Sequence, residues 1–313
     1  MLSLVSEPTP AVGPNEVLIE VEAVGVSFVD GLIVEGKYQV RPELPFTPGS
    51  VFAGHVVDRG PNVDMPSIGA RVACIDMDFG CYTSHAVCPA AAVVSIPAGI
   101  DMTVAASAAE NYSTLIFAVT KRVVIKPGEH VVVLGAGGSI GLAAVDVAHA
   151  LGARVVAVAS TEEKRAGALA AGAEVAIDYH DLKDAIRSST EGGGADVVFD
   201  PVGGTATESA LRALDAGGRL CVLGFASGEI PRLPMNVVLL RNRSIIGVDW
   251  GDWSRADGGP DANRDLLSDV LARISAGEIR PPAPRSVPLA EAGQLLKRFG
   301  ERGVAGKFVL DPR

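Results

Sequence analysis

The sequence is poor in several features, and each scarcity narrows the class of protein that it can encode. Four cysteines occur in 313 residues and none forms a C-x-x-C pair, so we interpret them as reduced thiols of a cytoplasmic protein. No apolar run reaches membrane-spanning length without charged or turn residues, so we expect no membrane partner. No charged segment followed by a short apolar one opens the sequence, so we expect no signal peptide. The formal net charge of −10 argues against a nucleic-acid-binding surface.

The abundant features indicate a folded protein. Hydrophobic residues make up 48% of the chain, which excludes disorder, and 313 residues suffice for two domains with one core each. Residues 1 to about 106 contain short apolar or alternating runs separated by Gly/Pro turns, which predict a barrel-like β domain. The strands predicted there are 17–24, 51–57, 69–74 and 82–87.

Residues 130–164 form the most informative stretch. Residues 131–134 and 155–159 are apolar, β-branched runs, typical of strands that are buried on both faces. Between them, a glycine cluster precedes apolar residues at helical spacing, and Gly152 is expected to end that helix. A strand, a glycine turn, a helix and a strand within about thirty residues predict a dinucleotide-binding unit. The alternative is a glycine-rich loop in another α/β fold.

Each glycine of this turn is expected to have a physical role. Gly135, Gly138 and Gly141 are spaced by three residues, although Ala136 occupies the first glycine position of the G-x-G-x-x-G pattern. Gly138 would let the backbone approach a pyrophosphate, and Gly141 would let the helix pack close to the strand. The free N–H groups at the start of the helix would then face the phosphates.

The chain then alternates strands and helices, which predicts a doubly wound parallel sheet. Predicted helices cover residues 103–122 (one or two helices), 162–171, 181–189 and 262–276. Predicted strands cover residues 175–177, 195–200, 219–224 and 244–248. Residues 249–260 are predicted to be a polar, Gly-rich loop, and residues 285–313 to form a strand, a helix and a last strand at 307–310.

Further motifs occur in one order along almost the whole chain. They are G-V-S-F-V-D (25–30), G-K-Y (36–38), L-P-F-T-P-G-S (44–50), F-A-G (52–54), the glycine turn, D-Y (178–179), D-P-V-G-G (200–204), G-G-R (217–219) and L-G-F (223–225). Because it has these motifs in this order, the chain resembles the medium-chain dehydrogenase/reductase family and, within it, the zinc-free quinone oxidoreductase branch. Members usually have an extra β-hairpin before the point where this sequence starts, so we expect the first sheet to lack a strand or to be completed by other means.

The resemblance implies the fold and the assembly. The expected fold class is α/β, with a Rossmann doubly wound parallel sheet inserted in a β-rich, GroES-like catalytic domain. The implied boundaries are residues 1–113 and 252–313 for the catalytic domain and residues 114–251 for the Rossmann domain. The resemblance also implies a homodimer, formed through the Rossmann sheet edge near residues 244–248.

The sequence predicts no metal site. In zinc-binding members of the family, the resemblance implies a Cys soon after the first strand and a Gly-His-Glu motif near Gly49. Here residues 27–30 contain no Cys, and Gly49 is followed by Ser50 and Val51. The four-cysteine structural lobe of those members is also absent. No ligand spacing supports the three well-placed ligands that a catalytic zinc needs.

The end of the second Rossmann strand predicts the choice of cofactor. In NAD-binding units an acidic residue at this point holds the ribose 2′-OH, whereas Ala159 stands here. Lys164 resembles the lysine that binds the 2′-phosphate in quinone oxidoreductases, and Arg302 is a second candidate. We therefore expect NADPH. The alternative, compatible with it, is a capping box in which Ser160 caps the helix, Glu163 reciprocates and Lys164 is solvated.

Matched positions give the candidate site residues, many of which have packing or capping as an open alternative. The expected cofactor contacts are Thr114, Gly135, Gly138, Ser139, Ile140, Gly141, Ser160, Lys164, Tyr179, Gly224, Phe225, Ser227 and Arg302. Without zinc, hydroxyl, amide or water donors must polarise an oxygen and supply a proton. The catalytic candidates are Tyr38, Ser27, Asn111 and Tyr112, and we expect residues 111–114 to open a helix near the nicotinamide.

Three functions are open at this point. The first, which we expect, is NADPH-dependent reduction of a small-molecule quinone or α,β-unsaturated carbonyl compound. The second is reduction of an enoyl thioester on the same scaffold. The third is a nicotinamide-binding protein with little catalysis, because a fold does not fix a function.

Overall fold

The chain forms two compact units, each assembled from separate segments. The computed structural model describes residues 2–301 and 304–313, without the side chains of residues 257–260. The first unit comprises Met1–Ser113, Gly251–Gly277 and Pro282–Arg313, and the second comprises Thr114–Trp250 and Glu278–Pro281. Each unit has its own sheet and its own apolar core.

The regular elements are numbered in chain order. The strands are β1 (Glu16–Gly25), β2 (Val51–Arg59), β3 (Arg71–Ile75), β4 (His85–Pro89), β5 (Val93–Ser95), β6 (His130–Leu134), β7 (Arg154–Val158), β8 (Val175–Ile177), β9 (Ala195–Asp200), β10 (Leu214–Val222), β11 (Ser244–Gly247), β12 (Arg285–Pro288) and β13 (Phe308–Asp311). The helices are α1 (Phe28–Val34), α2 (Met102–Phe117), α3 (Ser139–Ala150), α4 (Glu162–Ala170), α5 (Leu182–Ser189), α6 (Gly204–Ala213), α7 (Met235–Leu239), α8 (Trp250–Trp253), α9 (Gly259–Ser275) and α10 (Ala292–Gly300).

The first unit is organised around β1. In the described part of the chain its sheet has seven strands in the order β12-β13-β1-β2-β3-β5, with β4 also paired to β1. The pairs are antiparallel except β12 with β13. Residues 2–13 form neither helix nor strand, and β13 lies beside β1 with Leu310 opposite Val24. Ile19 of β1 and Phe52 of β2 are almost fully buried in the core.

The second unit is a parallel sheet with helical connections. Its described strands follow the order β11-β10-β9-β6-β7-β8, and every neighbouring pair is parallel. Val131 to Leu134 of β6 have no exposed surface, as expected for a central strand covered on both faces. Together with the β-rich first unit, this sheet confirms the predicted α/β fold class. The predicted strands at 175–177 and 195–200 match β8 and β9 residue for residue.

Two predictions about local structure are wrong. Residues 111–114 do not open a helix, because α2 begins nine residues earlier, at Met102. Residues 249–260 are not a loop, because α8, a π-helical turn at Ser254–Gly258 and the start of α9 occupy them. In both places the helix extends through residues whose local composition favours an end or a turn.

Candidate functional site

The glycine turn between β6 and α3 has the close packing that its sequence predicts. Gly135 has φ +62°, a left-handed conformation that glycine adopts without strain. A Cβ on Gly141 would lie 2.2 Å from the carbonyl oxygen of Gly135, so no larger residue fits there. Gly138 is the N-cap of α3. Because glycine has no side chain, this position gives the N–H groups of the first turn no side-chain acceptor. Ser139 and Ile140 begin the helix.

Tyr179 contacts this turn directly. Its phenolic oxygen accepts a hydrogen bond from the backbone N–H of Gly135 at 2.9 Å. Burial raises the pKa of Tyr179, so the phenol stays protonated and keeps a hydrogen that it can donate. The sequence predicts Tyr179 on the adenosine side of a cofactor, and the structure places it at the turn itself.

The turn after β7 brings a cation close to the glycines. Ala159 follows the strand and is 2% exposed, so no carboxylate occupies that position. A Cβ on Gly137 would lie 2.4 Å from the Cβ of Lys164. The first turn of α4 therefore packs against the glycine turn, and the Lys164 side chain starts beside it.

The capping box predicted for α4 is wrong. Thr161, not Ser160, is the N-cap, and its hydroxyl accepts a hydrogen bond from the backbone N–H of Lys164 at 3.3 Å. Lys164 therefore occupies the third helical position, where a capping box needs Glu or Gln. Ser160 is exposed and remains a predicted cofactor contact.

The loops that follow β9 and β10 are joined at the carboxyl edge of the sheet. The Asp200 carboxylate accepts hydrogen bonds from the N–H groups of Val202 and Gly203, at 2.8 and 3.0 Å, and from the Thr207 hydroxyl at 2.5 Å. The N–H of Ser227 donates to the carbonyl of Val202 at 2.7 Å. The predicted contacts Gly224, Phe225 and Ser227 lie in this joined loop, at the edge where ligands of parallel sheets bind.

The catalytic candidates differ in their environments. Tyr38 is half-buried in a bend after α1. Asn111 is 8% exposed. Tyr112 has no exposed surface, and Lys307 Nζ lies 5.2 Å from its ring centroid. Thr114 is half-buried on the same helix. Arg302 lies outside the described residues.

Ser27 takes part in a buried polar cluster of the first unit. It caps α1, since its hydroxyl accepts from the N–H of Asp30 at 3.3 Å, and the Asp30 carboxylate accepts from the N–H of Ser27 at 2.8 Å. The Tyr82 hydroxyl donates to the same Asp30 oxygen at 3.1 Å. Burial raises the pKa of Asp30 to about 6, against the opposing effect of these hydrogen bonds.

Glu110 on α2 joins this cluster, and the sequence analysis did not single it out. The hydroxyl groups of Ser27 and Ser50 hydrogen-bond to its carboxyl group. Burial, followed by the nearby charge of Asp30, raises the pKa of Glu110 to about 8, although the Lys307 charge and both hydroxyls oppose the shift. A lone glutamate in an alanine-rich helix gave no signal, because its partners come from distant segments.

No metal-binding group is evident in residues 2–301 and 304–313. No three His, Cys, Asp or Glu side chains are grouped there as a metal ion requires. Zinc independence stays a prediction. In the same residues, no helix is both long and apolar enough to cross a membrane.

Two family models match the chain. The one described as "Alcohol dehydrogenase GroES-like domain" matches residues 13–98, and the one described as "Zinc-binding dehydrogenase" matches residues 139–262. The first match lies within the first unit, and the second covers most of the second unit and extends into residues 251–262 of the first.

Individual proteins resemble almost the whole chain. Quinone oxidoreductase-like protein 2 of Bos taurus is 36% identical, and the match covers 98% of this chain and 88% of that protein. The structure of Escherichia coli quinone oxidoreductase complexed with NADPH superposes with a TM-score of 0.87 at 27% identity, over 98% of this chain and 95% of that one. A mycocerosic acid synthase-like polyketide synthase of Mycobacterium tuberculosis is 31% identical. The match covers 96% of this chain but 14% of that much longer protein. The chain therefore belongs to the medium-chain dehydrogenase/reductase family and, within it, to the quinone oxidoreductase branch.

Proposed function

We propose that the protein is a zinc-independent, NADPH-dependent reductase that transfers a hydride to a quinone or an α,β-unsaturated carbonyl compound. The observation that carries this proposal is the surroundings of the glycine turn in the second unit. Lys164 packs beside Gly137 there, and Ala159 stands where NAD-binding units have a carboxylate. The similarity to a quinone oxidoreductase that is complexed with NADPH supports the same cofactor.

NADPH fits the residues of the second unit. A larger residue at Gly141 is excluded by the backbone, so the start of α3 stays close to the turn, where backbone N–H groups can receive a pyrophosphate. Lys164 would offer its ammonium group to the 2′-phosphate. Gly224, Phe225 and Ser227 would lie along the cofactor at the carboxyl edge of the sheet.

The division of chemistry between cofactor and protein follows from this assignment. NADPH, when bound, supplies the hydride, and the protein orients it and excludes water. Because the proposed reaction is independent of zinc, side chains must polarise the substrate oxygen and supply a proton. Ser27, Tyr38 and Asn111 are the proposed polar contacts, whereas the buried ring of Tyr112 would act through packing.

We keep the cellular setting as part of the proposal. Cys74, Cys81, Cys88 and Cys221 are free and buried, which suits a reducing compartment such as the cytoplasm. The proposed substrate is a small molecule, and the net charge of −10 gives no support to a nucleic-acid partner.

One comparison favours a second candidate, the reduction of an enoyl thioester. The chain matches a segment of a polyketide synthase over 96% of its own length. Such a reaction needs the same hydride and a similar proton donor, so the sites described above fit it equally.

Turnover against a panel of acceptors tests the proposal. NADPH oxidation should be measured with quinones, simple enones and enoyl thioesters, each also with NADH. We expect quinones or enones to be reduced fastest, with NADPH preferred. Turnover confined to enoyl thioesters would favour the second candidate, and NADPH binding without turnover of any acceptor would refute a reductase.

A further inference from the structure

Helix α2 presents a short accessible face in an otherwise buried stretch. Within residues 105–118, all of which the structure describes, Glu110 and Thr114 keep accessible surface and the other residues are buried. Residues four apart on a helix lie on the same face. Glu110 therefore lies on the partly accessible face of the helix, one helical turn from Thr114, a predicted cofactor contact.

The Glu110 carboxyl is held in place by two hydroxyl groups. Ser27 and Ser50 both hydrogen-bond to it, and both come from segments adjacent to strands of the first sheet. The Ser27 hydroxyl also accepts from the N–H of Asp30, so one serine links the two carboxyl groups. This arrangement fixes the position of the carboxyl, as a group that must act on a reacting atom requires.

The charged groups around Glu110 affect its protonation in opposite directions. The groups that face it are Asp30 from α1, Lys307 from the segment before β13, and Tyr82, which donates to Asp30. Lys307 is 3% exposed, and its ammonium donates to the carbonyl of Ser107 at 3.0 Å. The Lys307 charge favours the ionised form of Glu110, whereas burial and the Asp30 charge oppose it more strongly.

We propose that Glu110 is the proton donor of the reaction. It is a neutral carboxylic acid that polarises the substrate oxygen and gives it a proton. The inference rests on the proposed reductase function. Asp30 is then a positioning residue, because its negative charge keeps the proton on Glu110. Paired carboxyl groups with separated proton affinities are a common way to divide acid and base roles in an active site.

The chemical step balances with the hydride that NADPH supplies. The O–H bond of Glu110 breaks, its proton forms a new bond to the substrate oxygen, and the electron pair stays on the carboxylate. Glu110 then takes up a proton from water before the next turnover. Its pKa of about 8 and the pKa of about 6 for Asp30 agree with these assignments at neutral pH.

Glu110→Gln tests the proposal, because glutamine keeps the size and the hydrogen-bonding capacity but has no acidic proton. Wild-type turnover of an enone should fall as the pH rises through about 8, where Glu110 loses its proton. The variant should lose about 10²–10⁴-fold in kcat and show no such fall. Its NADPH dissociation constant should stay near the wild-type value, and its thermal unfolding should show a folded protein.

Difference infrared spectra provide a readout that does not depend on turnover. The carbonyl stretch of a protonated carboxylic acid should disappear from the wild-type protein when the pH is raised past about 8, and should be missing from Glu110→Gln. Asp76→Asn is the matched control. Asp76 is a half-buried residue of the same unit, and burial raises the pKa of its carboxyl group. Glu110 does not contribute to the pKa shift of Asp76, and Asp76 does not contribute to that of Glu110.

The outcomes separate the inference from the proposed function. An active wild-type enzyme whose Glu110→Gln variant keeps kcat and the pH profile would overturn the inference and leave the reductase intact. An infrared band that persists in the variant would overturn it too. Loss of activity in Asp76→Asn equal to that in Glu110→Gln would also contradict it. Absence of NADPH oxidation by the wild type with every acceptor would instead refute the proposed function.

Discussion

At the scale of single residues, the choice of cofactor depends on one missing and one added charge. Ala159 removes the carboxylate that would repel a 2′-phosphate, and Lys164 adds an ammonium beside Gly137. A charge-assisted hydrogen bond contributes about 1.5–3 kcal/mol, which corresponds to roughly a ten- to hundred-fold preference. Lys164→Ala should therefore weaken NADPH binding by that factor and leave NADH binding nearly unchanged, as measured by fluorescence titration.

A matched variant separates this effect from a general loss of positive charge. Lys183 lies on the next helix, α5, and pairs with Asp184 at 3.4 Å. Lys183→Ala should bind both cofactors as the wild type does. Equal losses of NADPH and NADH affinity in Lys164→Ala would show that Lys164 does not bind the 2′-phosphate and has only a structural role in the first turn of α4.

The sequence indicates the cofactor candidates but not the environment of Glu110, for a physical reason. Gly135, Ala159 and Lys164 lie within the continuous stretch 130–164, which contains β6, α3, β7 and the first turn of α4, so spacing along the chain fixes their positions in space. Glu110 acquires its character from Ser27, Ser50 and other groups that are distant in sequence. A local pattern cannot report burial or partners of that kind, and Glu110 therefore has no signal in the sequence.

At the scale of elements, the packing of α3 on β6 requires glycine at one position. A Cβ at Gly141 would approach the backbone of Gly135 and Ala136 to 2.2 and 2.7 Å, and backbone cannot move cheaply. Gly141→Ala should lower the free energy of unfolding by about 1–3 kcal/mol. Because the substitution displaces the start of α3, it should also weaken the binding of NADPH and of NADH equally.

A second glycine substitution provides the control for that prediction. Gly167 lies within α4, with nothing within 4 Å of an added Cβ and no left-handed conformation. Gly167→Ala should raise the free energy of unfolding by about 0.5–1 kcal/mol in urea titrations, since alanine favours a helix interior. If Gly141→Ala were equally stabilising, the close packing at the turn would be wrong.

The elements that the sequence predicts are those with a strong local pattern. Apolar, β-branched runs identify β6 and β7, because strands buried on both faces need no polar residue. Helix α1 was not predicted, since Phe28–Val34 is rich in strand-forming residues and its start depends on the Ser27–Asp30 capping box. Residues 249–260 were predicted as a loop because of their glycines, yet they are helical, with Trp250 buried.

At the scale of the whole molecule, the edge of the second unit's sheet bears on assembly, and the homodimer stays a prediction. Strand β11 is at that edge, with Ile245 37% exposed, and Leu239 and Leu240 nearby are 78% and 62% exposed. An apolar open edge invites pairing with a second strand. We expect a dimer by light scattering, and Ile245→Lys should shift it to the monomer.

A control variant tests whether the edge itself is responsible. Ile68 belongs to the first unit and is 61% exposed, so Ile68→Lys adds the same charge at an exposed apolar residue outside the second unit. It should leave the dimer intact. A wild-type protein that is monomeric at micromolar concentration, or an Ile245→Lys variant that remains dimeric, would rule out this interface.

The central claim is that the chain uses NADPH to reduce its substrate without a metal. The most direct measurement is the rate of NADPH oxidation by protein that has been treated with a chelator and checked for metal by elemental analysis, with the best quinone or enone as acceptor. The account predicts full activity in the metal-free protein and slower turnover when NADH replaces NADPH. Stoichiometric zinc in the untreated protein, with activity that the chelator abolishes and zinc restores, would contradict it.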